Sequence, residues 1–162
     1  MEMKSVKEIR NERGSLSTDK GVYKWWCKQA EIEQLLKPLG IEWQDVNRHL
    51  EKKGDVYCFY VGQTKNKKGF AKRIKGQHLR LTKNSTLRRS LKALFGGEQI
   101  DTFLDDCFVS LEKVDEANID DKERKEINAH LRLLNIKNLE DTSNKFRKEI
   151  VEVLKNKRQK KN

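Results

Sequence analysis

The sequence predicts an α+β fold: a small three-stranded antiparallel sheet flanked by helices, with a helical insertion between the first and second strands. Three observations lead there. Short runs rich in β-branched and aromatic side chains occur at residues 21–26, 57–62 and 107–114. Apolar residues at helical spacing fill the intervals between them. The chain has 162 residues, with no repeat and no linker-like stretch, which suits one domain around one core.

In chain order, residues 1–19 are polar and mixed in charge and are expected to be a flexible N-terminal segment. Val22, Tyr23, Trp25 and Trp26 make the first strand. The insertion, 27–55, carries Ile32, Leu35, Leu36 and Leu39 at helical spacing before Gly40, then Val46 and Leu50 before Gly54. Residues 57–62 form the second strand. Residues 69–81 read as a helix with Phe70, Ile74 and Leu81 on one side. Asn84-Ser85 offers a cap for a helix whose stripe is Leu87, Leu91 and Leu94, ending at Gly96-Gly97. The third strand follows, then a helix over 118–134 and a last one marked by Phe146, Ile150, Val153 and Leu154. One domain over 20–154 results, with residues 155–162 as a basic tail.

The formal charge of +11 is unevenly placed. Residues 56–97 hold eleven Lys and Arg and no Asp or Glu, and residues 155–161 hold five more, which leaves the remainder net negative. Such a concentrated field suits a phosphate polyanion. A membrane-surface role would want a basic helix with a bulky apolar face, and none is present. No apolar run approaches the roughly 20 residues that span a bilayer, and residues 1–19 lack a signal-peptide pattern. Cys27, Cys58 and Cys107 are far apart with no CxxC pair, so reduced thiols and a cytoplasmic location are expected.

Chemistry concentrates in the helix over 118–134. At about 100° per residue, Ile119, Ile127, Leu131 and Leu134 define one apolar arc. Glu123, Glu126 and His130 project into the same arc. A carboxylate aimed at a core is costly unless it is paired or binds a metal. Two readings stay open: ion-paired groups at the rim, or an oxygen-ligand site for Mg²⁺ or Mn²⁺.

Gly21-Val22-Tyr23 and Tyr60-Val61-Gly62 each set a glycine two positions from a tyrosine. With them the chain resembles the GIY-YIG nuclease superfamily, over roughly residues 21–150. Arg73 resembles the family's helix arginine and Glu126 its metal-binding glutamate, on a run that leads to a late asparagine, Asn138 or Asn135. Three features depart from the pattern. Tyr60 follows Tyr23 by 37 positions, so the insertion must pack outside the sheet. The family's position four residues after the arginine is Gln77 here, and His78 follows one later; it is either catalytic or a core-edge histidine. The asparagine is doubly represented.

The resemblance implies metal-assisted hydrolysis of a DNA phosphodiester. Tyr23, with Tyr60 beside it, would activate water, its phenol pKa of about 10 lowered by nearby cations and one Mg²⁺ or Mn²⁺. Arg73 would hold the scissile phosphate and Glu126 the ion, with Glu123, His130 and Asn138 in support and Lys65 near the phosphate. Lys67, Lys68, Lys72, Lys75, Arg80 and Lys83 are expected to grip the nucleic acid. Arg88, Arg89 and Lys92 lie off the leucine stripe and are expected to face solvent or a nucleic-acid backbone. Trp25 and Trp26 are candidates for stacking on bases or for the core. The rival is a nucleic-acid-binding module that keeps the fold without the chemistry.

Overall fold

Three long antiparallel strands form the centre of the molecule in a computed structural model, which describes residues 3–11, 16–79, 85–137, 139 and 145–160. β2 (Gly21–Lys28) pairs on one side with β4 (Val56–Thr64) and on the other with β5 (Phe108–Lys113). These are the three strands expected from the sequence, each longer or shorter by a few residues. Two short strands extend the sheet to five, in the order β1-β5-β2-β4-β3. β1 (Met3–Ser5) pairs with β5, and β3 (Lys52–Lys53) pairs with β4. The first lies in the segment expected to be flexible and the second in the insertion. Pairing at two or three residues leaves no alternation for a sequence pattern to reveal.

Strand alternation sorts β2 onto two faces. Tyr23, Trp25 and Cys27 join the larger core, while Val22 and Trp26 join a smaller one with Cys58, Val61, Ile119 and Ile127. A bulge opposite Trp25 and Trp26 puts Phe59 and Tyr60 on the same face, that of Tyr23. Both tryptophans are therefore core residues, buried to within 1% of completely.

The insertion folds as α2 (Gln29–Leu39), α3 (Trp43–Val46) and β3. α2 buries Ile32, Leu35, Leu36 and Leu39 and stops at Gly40, in a left-handed conformation with φ 71°. It packs outside the central strands, as the spacing of the two tyrosines requires. Among the described residues no helix is long and apolar enough to cross a membrane.

The basic segment gives α4 (Gly69–Arg73), a π-helical turn at residues 74–78, and α5 (Thr86–Phe95). Ser85 caps α5 by accepting a hydrogen bond from the Arg88 amide; Leu81 and Asn84 lie outside the described residues. α6 (Ile100–Asp105) leads into β5, and α7 (Ile119–Ala129) crosses the smaller-core face. α7 ends five residues earlier than the apolar arc suggests, because Arg132 turns back and donates to the Glu126 carbonyl through Nε and Nη2, at 3.0 and 2.7 Å. α8 (Lys145–Lys160) packs on α5 and continues through most of the expected tail.

Candidate active site

The larger-core face of β2 and β4 ends in a hydrogen-bonded chain around Tyr23. Its hydroxyl accepts from Arg73 Nε at 3.0 Å and lies 2.6 Å from His78 Nε2. Having accepted from Arg73, the hydroxyl donates its own proton to His78 Nε2. The imidazole is neutral, since burial and then the charges of Arg73 and Arg88 hold its pKa well below the usual histidine value. Its remaining proton therefore sits on Nδ1 and is donated to Ser85 Oγ at 3.0 Å. Trp25 and Tyr60 pack edge-on against the ring.

The π-helical turn explains how His78 reaches this position. Leu79 N bonds to Ile74 O across five residues instead of four. A π turn is an α-helix with one residue added, so a side chain five positions on takes the angular place that four positions would give in a regular helix. Arg73 and His78 consequently meet at one hydroxyl. The one-residue offset seen in the sequence is absorbed by the backbone.

Several groups hold the end of that turn. Arg88, which the leucine stripe suggested would face outward, is 4% exposed. Its Nη1 donates to the His78 carbonyl at 3.0 Å, and its guanidinium forks Asp101 at 3.1 and 3.3 Å. Arg10 of α1 (Val6–Asn11) bonds the same Asp101 at 3.0 Å and the Leu79 carbonyl at 3.4 Å. Burial would raise the Asp101 carboxyl, but the two arginines bring its pKa below the usual range. Segments far apart in sequence thus meet behind the histidine. Nothing in the spacing of Arg10, Arg88 and Asp101 announces it.

Gly62 has a steric role here. A Cβ on Gly62 would lie 2.3 Å from the Tyr23 hydroxyl and ring, so the phenol lies directly over a bare backbone. Gly21 is equally constrained, its Cβ position being 2.0 Å from the Glu112 carbonyl oxygen. The two glycines of the tyrosine motifs are therefore places where only hydrogen fits. Gly62→Ala is expected to displace the phenol from Arg73 and His78 and to cost about 1–3 kcal/mol, read as a lower urea midpoint at unchanged m-value.

Neither tyrosine has the lowered pKa expected of a phenol among cations. Burial, reinforced by Tyr60, raises Tyr23 above the ordinary phenol value, and Arg73 offsets only part of this. Burial likewise pushes Tyr60 up to about 12. Desolvation of the phenolate outweighs the attraction of the guanidinium. Tyr23 holds its proton in the free protein, and His78 is the group placed to receive it.

The carboxylate at this site is Glu123. It is 7% exposed, and its charge acts on Tyr23, Tyr60 and Arg73 alike. Gln63 Nε2 reaches it at 3.4 Å and Asp120 at 2.8 Å. Glu126, one turn on, points elsewhere. It pairs with Lys24 at 2.7 Å and Lys122 at 3.0 Å, under the smaller core on the far face of β2. Lys24, itself 6% exposed, also binds Glu51 of the insertion at 3.0 Å, and Arg132 binds Glu51 at 2.8 Å. Burial opposes ionisation of Glu126, yet its lysine partners bring the pKa down to about 2. His130 lies beyond the end of α7 in extended backbone, where its charged neighbours are Arg132, Glu51, Lys24 and Glu126.

Asn135 fills the asparagine position. Its side-chain amide accepts from Val61 N and donates to Val61 O, both at 2.9 Å, and so acts as a one-residue strand on the free edge of β4. Asn138 lies outside the described residues, as do Arg80 and Lys83. Lys65 pairs with Asp120 at 2.6 Å. Beside Arg73 a cavity of about 180 Å³ is lined by Gln63, Thr64, Lys65, Asn66 and Lys72. Lys67, Lys68, Arg89 and Lys92 are exposed, and Lys72 and Lys75 partly so. Among the described residues no group of three or more His, Cys, Asp or Glu gathers. Glu123 is the carboxylate placed to hold a divalent ion here, and its oxygens suit a hard cation.

Comparison with known sequences gives a family: a family model described as the GIY-YIG catalytic domain matches residues 21–160. No curated protein and no solved structure matches the chain. The match begins at the glycine that starts β2 and ends with the last residue of α8, spanning both tyrosine motifs, Arg73, His78 and Glu123. With both tyrosine motifs and the Arg73–Tyr23–His78 chain inside one matched catalytic domain, the chain belongs to the GIY-YIG nuclease family.

Proposed function

We propose that the protein is a metal-dependent DNA endonuclease that hydrolyses phosphodiester bonds at the Tyr23–Arg73–His78–Glu123 cluster. The observation that carries this reading is the directional chain Arg73 Nε → Tyr23 Oη → His78 Nε2. A structural tyrosine needs one partner for its hydroxyl. Here a permanent cation is on one side and a neutral imidazole on the other, the arrangement that moves a proton off the oxygen.

Arg73 bonds the buried phenol in the free protein and also lines the adjacent cavity, with Lys65 and Lys72. Transfer of its guanidinium from Tyr23 to an incoming phosphate neutralises that phosphate and opens the hydroxyl to water. Tyr23 then orients the attacking water and takes its proton as its own passes to His78 Nε2. Ser85 keeps the imidazole in the tautomer that can accept. The Arg88–Asp101–Arg10 bridge keeps the ring in place through the His78 and Leu79 carbonyls. Glu123 would hold a divalent ion, Mg²⁺ or Mn²⁺, which would supply stabilisation of charge on the leaving oxygen. Exposed Lys67, Lys68, Arg89 and Lys92 and partly exposed Lys72 and Lys75 supply grip without sequence information.

The test is conversion of supercoiled plasmid to open circle. The wild-type protein is expected to nick with Mg²⁺ or Mn²⁺ and to stop with EDTA. Arg73→Ala should lower the rate by at least about 10²-fold, the usual loss for a group that stabilises transition-state charge. Salt-sensitive DNA binding without cleavage under either metal, with the variant behaving like wild type, would leave only the binding-module reading.

A further inference from the structure

Arg158 carries a charge that the fold does not neutralise. Its Nη2 reaches the first turns of α5, donating to the Thr86 carbonyl at 3.0 Å and to the Ser90 hydroxyl. Both acceptors are uncharged. Its Nε is buried with no hydrogen-bond partner, and among the described residues no carboxylate pairs with it.

Its electrostatic neighbours are informative. Thr86, Arg89 and Ser90 occupy one surface of α5, being three and four residues apart. Arg89, exposed on that surface, lies close enough to repel Arg158; burial and then Arg89 lower the pKa of Arg158, and Tyr60 opposes them. Arg158 in turn is felt at the Tyr60 hydroxyl, as is Arg73. Arg73 and Arg158 therefore both lie within electrostatic reach of Tyr60, and Arg89 within reach of Arg158. Two like charges held together without a counterion weaken a fold, and an anion bound between them reverses the sign of that contribution. Arg88, next to Arg89, shows the contrast: it is buried and fully matched by Asp101.

We propose that Arg158 and Arg89 form a second phosphate position on the substrate strand, adjacent to the one held by Arg73, so that α8 is a wall of the nucleic-acid cleft. The inference rests on the part of the reading above that has this site hold a nucleic-acid strand. It adds a partner-binding role for a residue that sequence reasoning assigned to a tail. Arg158 acts as a positioning residue, setting where the strand lies without touching the reacting atoms.

The experiment measures binding of a fluorescent DNA oligonucleotide to the full chain in EDTA across a series of NaCl concentrations, for wild type, Arg158→Gln, Arg158→Lys, Arg89→Gln and Arg158→Gln/Arg89→Gln. Each single Gln variant should lower the slope of log K against log[NaCl] by about one. Arg158→Lys should restore the slope, because a point charge suffices for phosphate. In the plasmid assay both Gln variants should raise KM several-fold with kcat nearly unchanged. An unchanged slope in Arg158→Gln, or a lower unfolding temperature alone, assigns Arg158 to helix packing and overturns the proposal. Arg89 is exposed, so an unchanged slope in Arg89→Gln overturns it even if Arg158 variants fail to fold. The binding arm is independent of cleavage: a wild type that binds but never nicks defeats the enzyme reading and leaves this one standing.

Discussion

Glu123→Gln is expected to lower the rate of plasmid nicking by about 10³-fold, the size of effect that follows from losing several kcal/mol of metal-assisted charge stabilisation. The amide keeps the size of the side chain and its contact with Gln63, so the fold should be unaffected and DNA binding in EDTA equal or tighter. Glu126→Gln should do the reverse. Its carboxylate offsets Lys24 and Lys122, with Lys24 buried, and removing one member of a buried ion pair costs about 3 kcal/mol. That loss appears in urea unfolding, with kcat within a few-fold of wild type. The pH dependence follows from the sign of the shift. Glu126 is depressed to about 2 in the fold, so its stabilisation is present above the ordinary carboxylate pKa and is lost as pH falls from there toward about 2. Glu126→Gln should flatten that acid limb. Normal cleavage by Glu123→Gln, with cleavage lost in a folded Glu126→Gln, would exchange their roles.

These two glutamates also mark the limit of what the sequence conveys. The apolar arc of α7 is legible, because Ile119 and Ile127 recur at helical spacing, and so is the fact that carboxylates border it. Which border faces the tyrosines depends on how α7 lies across β2 and β4, and that angle comes from tertiary packing. The three central strands were readable from β-branched and aromatic runs; β1 and β3 were too short to have a period. His78 illustrates a different limit. Spacing arguments assume 3.6 residues per turn, and a π turn breaks that assumption at the one place where it matters. Arg10 and Arg158 were invisible for a third reason. Each comes from a terminal segment whose polar composition resembles disorder, yet Arg10 reaches the Leu79 carbonyl and Arg158 the first turn of α5. Isolated long-range contacts from terminal segments leave no local pattern.

Tyr23→Phe and His78→Ala should each slow cleavage by roughly 10²–10⁴-fold, the range for a positioned acid–base group, and the double variant should be no slower than the worse single. Non-additivity of that kind is what a shared proton path requires: once either end is gone, the other has nothing to exchange with. Phe keeps the ring over Gly62 and removes only the oxygen bound by Arg73 and His78, so a large loss reports on chemistry and not on packing. The pH profile gives an independent sign. A histidine held neutral by burial and by Arg73 and Arg88 takes up a proton from solvent, and so loses its free acceptor nitrogen, only below the usual histidine range. The acid limb of wild-type kcat/KM should therefore lie below about pH 6.5 and be missing from the residual activity of His78→Ala. An acid limb that persists unchanged in that variant would mean that Tyr23 passes its proton elsewhere, and the imidazole would be left with the task of orienting the phenol.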